Sequence, residues 1–195
     1  MDDKFFFNIS VKNKVFTWTP PSTASRLSWK IFDNFEFSSY DAKTGALYNN
    51  SYFHNHFFGL PQNHKEYKLI LTCRNPYTRA RTGMDNTPRE YLIRNLEDTF
   101  QSSNHFYFIS LLKTRKPDYF IRVENLLEDY LKIPFIRESE FYKSGEMEKL
   151  IGDNPYKTKR FNNRPKIDKQ IADLIYYSNV YYFELLGYDK NSWKE

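Results

Sequence analysis

VFTWTPPSTASRLSWKIFDN, residues 15–34, reads as a strand, a tight loop and a helix. Val15, Phe16, Thr17 and Trp18 are β-branched or aromatic, the types that fit a pleated surface. Pro20 and Pro21 cannot donate to a ladder and end the strand. Ser22, Thr23 and Ser25 are helix-capping types, and Arg26 to Phe32 then sets Leu27, Ile31 and Trp29 or Phe32 at helical spacing. Free amides and hydroxyls at a helix start attract an anion, and the helix dipole adds to the attraction. The loop Pro21, Ser22, Thr23, Ala24, Ser25 and Arg26 is therefore a candidate phosphate cradle, to be weighed against an ordinary capped helix. It lacks G-x-x-x-x-G-K-[ST], which sets it apart from the loop of ATPases and kinases.

Lys68 to Cys73, KLILTC, is the clearest buried strand, a short apolar run bounded by polar residues. Arg74-Asn75-Pro76 ends it, and Tyr77 to Met84 begins a helix with Pro76 near its first turn. Before these, Phe5 to Ser10 and Phe35 to Ser39 are short candidate strands, with Val11 to Lys14 as a turn. Asp41 to Asn50 is polar and reads as a loop. Ser51 to Phe58 alternates loosely and, as a strand, would put His54 and His56 on one face. After these, Thr87-Pro88-Arg89-Glu90 opens a helix running to about Phe100. DYFIRV, Asp118 to Val123, is a strand, and Glu124 to Leu131 a helix. Glu138 to Asn163 is polar and loop-like, and Pro165 to Leu186 forms a last long helix ended by Gly187. Strands alternating with helices predict an α/β fold with a mostly parallel sheet flanked by helices on both faces, as one domain over residues 1–195.

The chain has 195 residues, 40% hydrophobic and 19% aromatic, enough to bury a core rather than remain disordered. Its net charge of +5 suits anionic ligands and weak nonspecific nucleic-acid contact alike. The single cysteine, Cys73, excludes an intrachain disulfide and reads as an inert core thiol. No long apolar run predicts a membrane span, and MDDKFFFNIS has no basic region or cleavage site of a signal peptide. A cytoplasmic protein is expected.

At Cys73-Arg74-Asn75-Pro76-Tyr77-Thr78-Arg79 the chain resembles the sulfotransferases that use 3′-phosphoadenosine 5′-phosphosulfate (PAPS). In that family a central strand runs into R-x-P-x-x-R, and a hydroxyl residue follows. Arg74, Pro76 and Arg79 fit, and Thr82 stands where serine is usual. Three further segments agree in order. Thr19 to Leu27 is similar to the family's 5′-phosphosulfate loop, DYFIRVENLLED at 118–129 to its strand followed by E-N-L, and YSNVYYFELLGY at 177–188 to its final helix. The resemblance implies a P-loop nucleoside triphosphate hydrolase-like fold of the carbohydrate-type branch. It implies Arg74 and Thr82 on the nucleotide's 3′-phosphate, where guanidinium grips phosphate through parallel hydrogen bonds. Pro21 stands on the position of the family's loop lysine and can donate nothing there. Arg26, with Lys30 one turn on, is the replacement cation to consider.

Sulfuryl transfer needs in-line geometry, charge neutralisation and a base for the acceptor hydroxyl. The family often carries its base between the loop and the arginine strand, which points to His54 or His56. An aromatic strand without a catalytic role is the plainer reading of that His-x-His. The basic run Lys157 to Arg164, with Lys159 and Arg160, would close over the 3′-phosphate or guide an anionic acceptor; an exposed charged loop is its plainer reading. The implied co-substrate is PAPS without a metal, and the implied partner a hydroxyl-bearing acceptor, a carbohydrate or small metabolite. A non-catalytic relative binding adenosine 3′,5′-bisphosphate is the alternative. A basic nucleic-acid-binding module is a third, disfavoured because the aromatics fall in burial patterns and no RNA-binding signature occurs.

Overall fold

A computed structural model describes residues 6–19, 24–41, 47–48, 64–81, 113, 115–153 and 167–194. The chain divides into two compact units, Met1–Cys73 with Lys116–Asn154, and Arg74–Arg115 with Pro155–Glu195. Each is described by itself.

The first unit carries strands β1 (Phe6–Ser10), β2 (Val15–Trp18), β3 (Ser38–Asp41), β4 (Leu47–Tyr48), β5 (Lys68–Cys73) and β6 (Tyr119–Arg122). They form one sheet in the order β4-β3-β1-β2-β5-β6. The α/β class expected from the sequence is present. β2, β5 and β6 run parallel, while β1, β3 and β4 add antiparallel strands on the other side of β2. The antiparallel part follows from short connections. Val11 to Lys14 is a turn, closed by the Lys14 amide on the Val11 carbonyl at 3.3 Å, and it reverses β1 directly into β2. β5 has the bounds expected for it. At its far side the Asp118 carboxylate accepts the Leu69 amide at 2.8 Å, and the Asp118 amide donates to the Leu69 carbonyl at 2.9 Å. This exchange sets the β5–β6 register.

Alternation along the strands decides which side chains face which layer. Val15, Ile70 and Ile121 belong to one buried cluster with Leu27, Ile31 and Phe32 of helix α1 (Ser25–Phe32). Phe16, Trp18, Leu69 and Leu71 point to the opposite face and are also buried. Each such side chain contributes about 1.5–3 kcal/mol of transfer free energy. Leu126 and Tyr130, on the helix Leu126–Tyr130, join the first cluster.

Three expectations are corrected here. The loop expected over Asp41–Asn50 contains β4. The expected strand at Phe35–Ser39 is displaced to β3, because Asp33–Phe35 extends α1 as a 3₁₀ turn and buries Phe35. The polar stretch from Glu138 holds two short helices, Glu140–Lys143 and Glu146–Gly152, with Met147 and Ile151 in the core.

In the second unit, helix α2 (Pro76–Arg81) packs Tyr77 against Ile167, Ile171, Ile175 and Phe183. The long helix expected over Pro165–Leu186 is two helices, Lys169–Ser178 and Val180–Leu186. Asn179 leaves helical geometry at φ −125° and turns its amide group onto the Ile175 carbonyl at 2.8 Å, so side chain and backbone compete for that acceptor. Gly187 closes the second helix at φ 68°, a left-handed position that suits glycine. The expected helix at 87–100 and the aromatic segment at 105–112 lie outside the described residues.

Candidate functional site

In the first unit, β2 ends at Trp18 and α1 begins at Ser25. β2 and β5 are parallel neighbours, with Thr17 opposite Ile70 and Trp18 opposite Leu71. The Thr72 hydroxyl donates to the Trp18 carbonyl at 3.4 Å, tying the two carboxyl ends together. In open α/β sheets this is the end at which ligands bind.

The start of α1 departs from the serine or threonine cap expected of it. Its N-cap is Ala24, in the left-handed conformation at φ 58°, ψ 31°, with no side-chain cap. The Ala24 carbonyl accepts the amides of Leu27 at 3.0 Å and Ser28 at 2.9 Å. A left-handed residue followed by right-handed ones turns successive N–H groups toward one concavity, the geometry of a backbone anion nest. For alanine that conformation costs about 1–2 kcal/mol. Ser25 is the first helical residue, and Arg26 and Lys30 are both exposed on α1. Pro21, Ser22 and Thr23 lie outside the described residues.

The first unit also buries several hydroxyls. The hydroxyls of Thr17, Thr19, Ser28 and Tyr130 are buried without hydrogen-bond partners. Burial raises the Tyr130 hydroxyl's pKa far above its ordinary value, and the neighbouring Ser28 hydroxyl pulls it back in part. An unpartnered buried hydroxyl costs about 1–3 kcal/mol.

In the second unit, Arg74 follows directly on the last residue of β5 and is half-buried. Its Nε donates to the Thr78 hydroxyl at 3.1 Å, and that hydroxyl donates to the Asn75 carbonyl at 3.0 Å. Asn75 is the hub of the turn. Its side-chain oxygen accepts the Tyr77 amide at 2.9 Å, capping α2, and its side-chain nitrogen donates to the Ser192 hydroxyl at 2.8 Å. The Tyr77 hydroxyl donates to the Lys190 carbonyl at 2.7 Å. Burial, then the nearby Asp173 charge, pushes its pKa up to about 12, so it stays a donor at all physiological pH values. The arginine is thus mounted on a turn that is fastened at both ends.

The sequence reading missed Asn75, Thr78 and Ser192. The signal available for the first was an asparagine directly before a proline, a helix-start pattern. It also missed the first unit's unpartnered hydroxyls, which single threonines and serines do not announce. Thr82, His54, His56, Lys159 and Arg160 lie outside the described residues. Among the described residues, no group of three or more metal-ligating side chains is gathered. No helix among them is long and apolar enough to cross a membrane. A groove of about 430 Å³ runs along Lys169–Ser178, lined by Lys169, Asp173 and Tyr177, and contains none of the described candidate residues.

No protein-family model, curated protein or solved structure matches this chain.

Proposed function

We propose that this protein binds PAPS and transfers its sulfuryl group to a hydroxyl of a carbohydrate or small-molecule acceptor. The observation that carries the reading is the left-handed Ala24 turn at the start of α1, at the carboxyl end of β2. A strained, non-glycine turn without a side-chain cap is disfavoured unless its amides have another use, and an anion supplies one. The family resemblance assigns the 3′-phosphate to Arg74, whose own turn is fastened within the second unit.

In the proposed reaction the acceptor oxygen attacks sulfur, and the bond between sulfur and the 5′-phosphate oxygen breaks. The acceptor proton passes to His54 or His56, and adenosine 3′,5′-bisphosphate leaves with the bonding electrons. The α1 amides and Arg26 would offset charge growing on the leaving phosphate.

Pro21 favours a second reading, a relative that binds the nucleotide without reacting, because proline has no cation to offer the leaving group. Radiolabelled PAPS separates the two. Transfer of label to a carbohydrate acceptor by the wild type, increased tenfold or more by Pro21→Lys, supports the enzyme. Retained nucleotide binding with no transfer by either protein, across a panel of acceptors, leaves only the binder.

A further inference from the structure

Two hydrogen-bonded runs meet at Asn75. In one, Arg74 Nε donates to the Thr78 hydroxyl at 3.1 Å, which donates to the Asn75 carbonyl at 3.0 Å. In the other, the Asn75 side-chain amide donates to the Ser192 hydroxyl at 2.8 Å, which donates to the Asp189 carbonyl at 2.7 Å. Each hydroxyl both accepts and donates, so neither can turn without disturbing a bond on both sides. The Asn75 amide group is fixed as well, since its oxygen accepts the Tyr77 amide at 2.9 Å. The far anchor, Asp189–Lys194, is itself braced. The Asp189 carbonyl also accepts the Ser192 amide at 3.1 Å, and its carboxylate accepts the Asn191 amide at 2.8 Å. The Lys190 carbonyl accepts the Tyr77 hydroxyl at 2.7 Å, and the Lys190 ammonium lies 4.6 Å from the centre of the Tyr176 ring. Trp193 packs against the buried cluster of Tyr77, Ile171 and Phe183. All of these residues belong to the second unit. A long side chain held in one conformation has lost rotamer freedom already, and a group ordered in advance binds its ligand with less to give up.

We infer that the loop Asp189–Lys194 is a prop for Arg74, with Ser192 a positioning residue for the anion contact that Arg74 makes. Ser192 acts through Asn75 and Thr78 and not on the ligand. The inference rests on the reading of Arg74 as the 3′-phosphate contact. The loop itself lies beyond every segment that carries the family resemblance, the last of which ends at Tyr188. Because linkage is reciprocal, a ligand that favours the held arginine must also stabilise the loop that holds it.

The test titrates the full chain with adenosine 3′,5′-bisphosphate in a calorimeter. Ser192→Ala removes the hydroxyl and Ser192→Thr keeps it. Ser178→Ala removes another hydroxyl of the same unit, one that donates to the Leu174 carbonyl of its own helix at 2.6 Å. Ser192→Ala should weaken binding about threefold to tenfold, the effect of one neutral hydrogen bond. Ser192→Thr should bind within about twofold of wild type, and Ser178→Ala should bind normally. In an Arg74→Ala background Ser192→Ala should have no further effect, because both act through one contact. A hydroxyl that served folding alone would lower the melting temperature and leave affinity untouched. Hydrogen exchange on the wild type needs no variant: saturating nucleotide should slow exchange of the Ser192 and Lys194 amides, both bonded within the loop. Equal affinity in Ser192→Ala and wild type, an equal loss in Ser178→Ala, or loop amides that exchange alike with and without nucleotide overturns the inference and leaves the nucleotide reading in place. The same loss from Ser192→Ala with Arg74 already removed overturns it too. No binding by the wild type overturns both.

Discussion

The Asp129 carboxylate, 1% exposed, holds Arg122 by three hydrogen bonds, two from the guanidinium at 2.8 Å and one from the backbone amide at 2.9 Å. Lys132 adds a fourth at 2.7 Å. Burial alone would raise the carboxyl's pKa, but these donors together outweigh it and hold the pKa below the ordinary carboxylate value. The pair fastens the end of β6 to the helix that follows. Because the folded pKa is depressed, the stabilisation is fully present above the unfolded value near 4 and is lost as pH falls through the folded one. Asp129→Asn should cost about 2 kcal/mol at pH 7, less than a fully buried pair because Arg122 is partly exposed. Urea unfolding at pH 7 and stepwise down to pH 3 should show the gap to wild type closing with acid. A gap that stays constant would contradict the assignment.

Ala24 tests the strained turn. Ala24→Gly removes the left-handed penalty and should stabilise the protein by about 0.5–1 kcal/mol, less what glycine gives back to the unfolded chain. Ala24→Val should destabilise by more than that, since a β-branched residue tolerates positive φ least. Denaturation midpoints with unchanged slopes would read both effects. Destabilisation by glycine would argue against the left-handed conformation.

Asn75 is expected to matter for stability and for ligand binding together. Asn75→Ala removes the α2 cap and the bond to Ser192, a loss of about 1–2 kcal/mol. Since Asn75 also fixes the turn carrying Arg74, affinity for adenosine 3′,5′-bisphosphate should fall with it. Thr78→Val, which removes the hydroxyl held by Arg74 Nε, should weaken binding with a smaller effect on stability. Thermal melts and calorimetry on the same preparations distinguish the two.

Met147 probes the helix that composition hid. It is fully buried against the first unit's core. Met147→Ala should cost about 2–5 kcal/mol, whereas a methionine in a solvated loop would cost almost nothing. Equilibrium unfolding decides between these.

What the sequence disclosed depended on whether one residue's chemistry decided the structure. KLILTC has the predicted bounds because a short apolar run between polar residues has few other uses. Arg74-Asn75-Pro76 was legible as a helix start because proline fixes its own backbone. Ala24 was not legible, because alanine carries no signal for a left-handed cap. Glu146 to Gly152 was obscured because Glu146, Glu148 and Lys149 make it read as polar, although Met147, Leu150 and Ile151 fall at helical spacing on its core side. Asp129, in an acidic helix, looks like a solvated charge until β6 brings Arg122 beside it. Asn179 interrupts a periodic apolar pattern that by itself predicts one continuous helix.

The most direct measurement of the central claim is calorimetric titration of the full chain with adenosine 3′,5′-bisphosphate, beside Arg74→Ala. Saturable binding by the wild type at millimolar ligand or below, weakened at least tenfold by Arg74→Ala, is the predicted result for a guanidinium on the 3′-phosphate. No binding by the wild type at millimolar ligand, or equal affinity in the two proteins, would contradict it.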